Sequence, residues 1–343
     1  MAIPTLRGVV DAPSPMRLVP PNLGEVFRRA ALGDDLVAVE RLLMQRTASR
    51  IDLLTGSGAY TIAAGGKRLR AALVLLAARL GAYDFARAAR PAVALELLHA
   101  ASLVHDDLVD HTLRRRGRVT VHARWDRHVA LMLGDYFFAL SAGELAGEPD
   151  QRIITFYASA ALTVVEGELR PVTQLEPIEV ALAQYRYKIG AKTAALFEAA
   201  CKTGIAVAGG TPAQIEALGR FGFDLGMAFQ IVDDVLDFIG DEALLGKPAG
   251  NDLREGTITL PLIYAVDQSD SPLLRELART LQPDPARVPE LVEAVVAAGG
   301  TARAMEEARQ TIARALRHLE GFPPSSTTRS LAEICDFVLS RQV

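Results

Sequence analysis

Cysteine is nearly absent from this 343-residue chain, which has Cys201 and Cys335 and no others. Two distant thiols make neither a disulfide framework nor a cysteine-rich metal site, and such usage suits a reducing compartment. Aromatic residues are also scarce, at 6%. No apolar run approaches the roughly 20 residues needed to span a bilayer; the most apolar stretch, Ala71 to Ala78, is closed by Arg70 and Arg79. Positive charge is not in excess: 37 Lys and Arg against 41 Asp and Glu leave a net charge of −4, so no overall field draws nucleic acid. The first 21 residues hold five prolines and no apolar core of signal-peptide length, so residues 1–21 read as a loose Pro-rich extension. A cytoplasmic protein with no transmembrane segment is expected.

Sustained strand-like alternation is missing too. Apolar residues instead recur at spacings of three and four, as in Leu36, Val39, Leu42 and Leu43, and again from Ala94 to Val104. The fold class is therefore all-α. Length alone suggests about two domains, but no linker divides the chain, and Ala194 to Cys201 is interrupted only by Glu198. A helix apolar on nearly every side is a central one. The expectation is a single large bundle over 22–343 with buried central helices. Loops are expected at Gly65-Gly66, from Gly240 to Gly256, and from Gly321 to Ser326, the last ending in Ser and Thr residues suited to capping a final helix.

Two apolar helical stretches carry the same acidic pattern, Asp106-Asp107-x-x-Asp110 and Asp233-Asp234-x-x-Asp237. One such triplet reads as a solvated helix face. Two, each set among Leu, Val and Ile, bring like charges onto apolar helices and require something positive to offset the repulsion. Oxygen-only donors suit hard cations, and Mg²⁺ commonly takes one or two carboxylates, waters and substrate phosphates. Donors for a diphosphate are present: Lys67 and Arg70 in a helix opening after Gly65-Gly66, Arg115 and Arg116 in a basic turn, Lys192-Thr193 at the head of an apolar helix, and Lys247 in a loop. His99 lies two turns before Asp106 on the same helix face.

In chain order, GGKRLR (65–70), ELLHAASLVHDDLVD (96–110), LRRRGR (113–118), GDYFFA (134–139), EGE (166–168), IGAKTAALF (189–197), FGFDLGMAFQIVDDVLD (221–237) and GKPAGNDLREGTITLPLIYA (246–265) resemble the trans-type polyprenyl diphosphate synthases. The resemblance runs from about residue 22 onward. It implies that Asp106, Asp107, Asp110, Asp233, Asp234 and Asp237 hold two or three Mg²⁺ ions, with Mn²⁺ as a substitute, on an allylic diphosphate. Arg115, Lys192, Thr193, Gln230 and Lys247 would contact that diphosphate. Lys67, Arg70, His99 and Arg116 would hold isopentenyl diphosphate, and Arg68 has no part in the assignment. Asp106, Asp107, Asp110, Lys192, Asp233 and Asp234 would form the catalytic set. A homodimer is also implied. Thr257 stands where many members have Lys.

Chain length follows from helix geometry. Ser102 and Ala101 lie four and five residues before Asp106, about one turn or 5.4 Å deeper, and both are small. An aromatic residue there blocks the tunnel in short-chain relatives. With that level open, Leu97 and Leu98 come a turn further down, and Leu131, Met132, Phe137 and Phe138 on a facing helix are candidates for the floor. A product of about six to ten isoprene units is expected on steric grounds. Other readings are a terpene cyclase, which needs no second diphosphate site; a di-iron bundle, for which Glu96-x-x-His99 is one half-motif; a scaffold subunit without activity; and a catalytic subunit that needs a small partner.

Overall fold

The computed structural model describes residues 22–115, 117–240, 249–281 and 283–341. The chain runs through α1 (Leu23–Arg29), α2 (Gly33–Arg46), α3 (Asp52–Ala63), α4 (Leu69–Ala78) and α5 (Phe85–Val109), then α6 (Val121–Arg124), α7 (Arg127–Leu145), α8 (Gln151–Glu168), α9 (Ile178–Ile189), α10 (Ala195–Val207) and α11 (Pro212–Ile239). It continues through α12 (Asn251–Arg254), α13 (Leu260–Gln268), α14 (Pro272–Thr280), α15 (Val288–Ala297), α16 (Gly300–Arg317) and α17 (Ser326–Ser340). The all-α expectation holds, with one addition. The basic turn is a two-residue antiparallel ribbon, Arg114–Arg115 against Arg118–Val119, and Gly117 makes its turn at a φ of 73°.

Local chemistry sets the long helices. Asp84 caps α5 by accepting the Ala86 amide. At α11 a capping box joins Thr211 to Gln214, with Pro212 as the first helical residue. Ser325 and Thr328 form a second capping box at α17, as the Ser/Thr-rich run there leads one to expect. In α4 every residue except Arg70 is buried, and α10 exposes none of its apolar side chains. These two helices and α11 form the centre.

Glycine lets the central helices approach closely. A Cβ on Gly204 of α10 would stand 2.2 Å from the Val74 carbonyl oxygen of α4, and one on Gly222 of α11 would stand 2.5 Å from that of Phe197 in α10. Both are backbone contacts, so a side chain there must part the helices. Around this centre α5 packs on α7, and α16 packs on α11. A bidentate pair reinforces the latter, with the Arg314 guanidinium donating to both Asp224 oxygens at 2.7–3.0 Å.

The structure corrects two expectations. α4 begins at Leu69 rather than directly after the glycine pair, because Gly65, Gly66 and Arg68 all take positive φ. Lys67 therefore precedes the helix and does not share a helical face with Arg70. In α7, Leu131, Met132 and Phe138 stand on the outer surface, each about two-fifths exposed, and so form no tunnel floor. Phe137 is fully buried and packs beside Gly58 of α3.

Gly222→Ala should lower stability by about 1–3 kcal/mol, because the new methyl group meets backbone rather than a flexible side chain. Thermal denaturation measures this, and an unchanged midpoint would mean that α10 and α11 separate without cost.

Candidate active site

α5 and α11 bring their acidic segments to one cavity of about 780 Å³, well within the size of small-molecule sites. Asp106, Asp107, Asp110 and Asp233 line it, together with Lys67, Arg70, His99, Arg115, Lys192, Thr193 and Gln230. Residues scattered from 67 to 233 in the sequence thus line one cavity. Arg116 and Lys247 lie outside the described residues.

The second triplet departs from the expected arrangement, since neither Asp234 nor Asp237 lines this cavity. Neighbouring helical residues diverge by about 100°, and Asp234 turns toward α9. There the Tyr185 hydroxyl donates to it at 2.7 Å and the Gln230 side-chain amide at 2.9 Å. Burial pushes its carboxyl well up. Asp237 lies near the end of α11, where the chain folds back over it: its carboxylate accepts the Asp252 amide at 3.0 Å, and its carbonyl accepts that of Gly250. Asp234 also anchors a relay, because the Thr193 hydroxyl donates to the Gln230 side-chain Oε1 at 2.8 Å while the Gln230 Nε2 donates onward to Asp234. Gln230 is thereby fixed in one orientation.

Lys192 and Thr193 owe their position to a π-turn, Gly190–Ala194, between α9 and α10. The Lys192 ammonium stands 3.3 Å from Asp106 and 3.2 Å from one Glu168 oxygen. Burial works against its charge, but Asp106 and Glu168 outweigh that and hold its pKa above the usual range. Asp106 is pushed up to about 6, chiefly by burial, with Lys192 opposing. Burial also raises Asp107, against the Arg115 guanidinium at 2.7 Å. The carboxylates thus sit where their charge is disfavoured and a cation would be welcome. Among the described residues no three His, Cys, Asp or Glu side chains close into a cage. A hard divalent cation would take carboxylate oxygens from the two helices and complete its shell with water and phosphate oxygens, so the donor set fits.

In the same lining the Lys67 ammonium lies 4.4 Å from the Phe337 ring of α17, and the Arg70 guanidinium 5.1 Å from the Phe197 ring. At the α4 amino end Glu96 accepts the Ala71 amide at 3.0 Å. Its other oxygen faces Arg68 at 3.7 Å. Glu96 is thus committed to α4, which leaves the di-iron reading without its carboxylate. Ser102 lines the cavity, whereas Ala101, Leu97 and Leu98 are buried in the helix packing. The Thr257 amide donates to the Asp252 carbonyl at 2.7 Å.

Sequence reasoning gave no role to Arg341 or Glu168. Arg341 follows α17, pairs with Asp233 at 2.5 Å, and stacks on Phe229, 4.3 Å from its ring centre. A single arginine near the C-terminus carries no motif that points to this. Glu168 lay within the EGE segment, and a half-buried lysine in an apolar stretch, which needs a counter-charge, was the available signal.

A family model described as Polyprenyl synthetase matches residues 51–297. The chain belongs to that family. It is 37% identical over 311 residues to heptaprenyl diphosphate synthase component 2 of Geobacillus stearothermophilus, covering 90% of this chain and 97% of the relative. The polyprenyl synthase of Caulobacter crescentus, solved with calcium and isoprenyl diphosphate, superposes with a TM-score of 0.88 at 32% identity, covering 95% of this chain and all of that one. A decaprenyl diphosphate synthase from Rhodobacter capsulatus gives 0.84 at 32% identity, with 93% and 98% covered. Among the described residues, no helix is long and apolar enough to cross a membrane.

Asp106→Asn should stabilise the metal-free protein. A carboxyl raised to about 6 favours folding while it is protonated. That contribution is present below about pH 4, where the unfolded chain is protonated too, and is lost as the pH rises to 6. The asparagine variant loses nothing over that interval, so its midpoint should exceed the parent's by roughly 2–5 °C at pH 8 and match it at pH 4. Calorimetry at both pH values checks this, and a variant less stable at pH 8 overturns it.

Proposed function

We propose that this protein is a trans-polyprenyl diphosphate synthase that adds isopentenyl diphosphate stepwise to an allylic diphosphate, giving an all-trans product of about six to ten isoprene units. The observation that carries the reading is the double lining of one cavity. Carboxylates from α5 and α11 line it, and so does a separate cationic set, Lys67, Arg70 and His99. Two diphosphate-binding regions in one cavity suit the joining of two diphosphate esters. A cyclase, which takes one diphosphate, has no use for the second.

Asp106, Asp107, Asp110 and Asp233 would hold Mg²⁺, or Mn²⁺ in its place. When bound, the metal neutralises charge developing on the leaving diphosphate. Lys192 and Arg115 stand beside these carboxylates and add fixed positive charge toward the same oxygens. Thr193 and Gln230, locked by the relay to Asp234, orient that diphosphate. Lys67, Arg70 and His99 hold the second substrate so that its double bond meets the allylic carbon at close range. The released diphosphate accepts the proton lost in the final step. Phe197 and Phe229, 5.6 Å apart between ring centres, wall the cavity with apolar surface and keep water from the cation. Asp234 and Asp237 act in support, by holding Gln230 and the end of α11.

The domain extends over 22–343 in this reading, and the enzyme is cytoplasmic and homodimeric. A second copy would cover the outer face of α7 and α8, where Leu131, Met132, Phe138, Leu162 and Val165 are exposed. Because a relative is named as one component of a synthase, a small partner subunit is the second reading.

Purified protein with farnesyl diphosphate, labelled isopentenyl diphosphate, Mg²⁺ and detergent should give products ending at six or more units, resolved by chain length after dephosphorylation. A stop at four units would keep the chemistry and place the floor at Leu97 and Leu98; no incorporation would point to the missing partner. Ser102→Phe should shorten the product, and an unchanged length would remove the tunnel from the wall of α5. Asp106→Ala should reduce turnover by roughly 100-fold or more, with circular dichroism unchanged. Retained activity would overturn the metal assignment.

A further inference from the structure

We propose that Arg68 and Glu96 are positioning residues for the isopentenyl diphosphate site, acting through Lys67, Arg70 and His99 without touching the diphosphate. The inference rests on the proposed reaction and extends it to residues given no role in binding. Arg68 lies between two of the cavity cations and itself lines the cavity, but its guanidinium is engaged by protein groups. Its Nε donates to Glu40 of α2 at 3.0 Å, and its Nη2 donates to the Ile62 carbonyl of α3 at 2.7 Å. Its Nη1 faces Glu96 of α5 at 3.7 Å. Two of the three guanidinium nitrogens thus donate hydrogen bonds and the third faces a carboxylate, and the side chain is about one-tenth exposed. One residue at the start of α4 ties together three other helices.

The backbone supplies the second argument. Arg68 has φ 44° and ψ 41°, the left-handed region that a side chain occupies at a cost of about 1 kcal/mol or more. Such a conformation persists where its surroundings over-determine it, and here the guanidinium contacts do so. That backbone sets the directions in which the chain leaves on either side, toward Lys67 before it and Arg70 after it. Relaxing it would swing both cations.

Glu96 is the other half. Its side chain is 4% exposed, and a carboxylate in the lining of an anion site would repel the ligand unless neutralised. Arg68 neutralises it. The remaining oxygen takes the Ala71 amide, which fixes the first turn of α4 and with it Arg70. Glu96 also precedes His99 by three residues on α5, so one carboxylate registers α4 against the helix that carries the histidine. The allylic-side residues Arg115, Lys192, Thr193 and Gln230 belong to the ribbon, the π-turn and α11. A defect in the Arg68–Glu96 pair should therefore reach one substrate and spare the other.

The test separates the two Michaelis constants. Arg68→Met should raise KM for isopentenyl diphosphate about 10-fold or more while leaving KM for farnesyl diphosphate within about two-fold. Glu96→Gln keeps an acceptor for Ala71 but loses the charge, and should give a smaller rise of the same kind; Glu96→Ala should exceed it. If Arg68→Met does not fold, Arg68→Lys decides, since it keeps the stem and charge and loses the planar fork. It should give an intermediate rise. Parallel rises in both constants, or a change in thermal midpoint alone, would overturn the proposal. Calorimetric titration with isopentenyl diphosphate reads the same site without turnover. Wild-type binding with no elongation would sink the assigned reaction and leave the pair intact. Equal affinity in wild type and Arg68→Lys would overturn the pair, and no binding by the wild type would overturn both.

Discussion

Carboxylates held against one another in an apolar bundle are the constraint from which the rest of this structure follows. Burial disfavours Asp106 and Asp107 as anions. A fold that keeps them must offset their cost elsewhere. It does so with a core reaching from Leu23 in α1 to Val338 in α17, and with α4 and α10 buried almost completely. It also surrounds the carboxylates with counter-charges drawn from separate elements: Lys192 from a π-turn, Arg115 from a ribbon, and Arg341 from beyond the last helix. The arrangement is stable enough to stand and unfavourable enough to take up a cation.

Substrate chemistry calls for a second kind of order. In the proposed reaction the two diphosphate regions must remain distinct although they share one cavity. The residues proposed for the allylic side come from α5, α11, the ribbon and the π-turn, while Lys67 and Arg70 stand at the junction between α3 and α4 and His99 on α5. Buried polar groups behind each side are satisfied in short chains, Thr193 to Gln230 to Asp234 to Tyr185 on one and Arg68 with Glu96 on the other. Such chains hold side chains that would otherwise sample several rotamers.

Much of this was legible in the sequence. Apolar spacing gave the helical class, and two acidic triplets within apolar helices identified the two helices that meet at the site. Lys192 stood out as a charge in an apolar stretch. What escaped were features that depend on direction. The pattern Asp-Asp-x-x-Asp says nothing of how the helix is rotated, so it did not show that Asp234 faces Tyr185 or that the chain after α11 covers Asp237. Leu131, Met132 and Phe138 read as a floor because an apolar residue is equally plausible inside a bundle or on a face that another molecule covers. Arg341 and Glu96 gained their partners from tertiary contacts across 108 and 28 positions of sequence respectively, as read from Asp233 with Arg341 and Arg68 with Glu96, and no local rule reports those.

The π-turn between α9 and α10 gives the site a sensitivity of its own. Its five residues, Gly190–Ala194, carry one residue more per turn than the α-helices they join. The two helices therefore continue along one path but out of phase by about a quarter turn, or 100°. Tyr185 on the near side faces Asp234, and Lys192 within the turn faces Asp106, because of that offset. Evolution could lose the offset by a single-codon deletion that leaves a longer, more regular helix. The shortened protein would gain an ordinary hydrogen-bond ladder and lose the angular relation between its two walls. In this segment irregularity carries the information, and regularity would erase it.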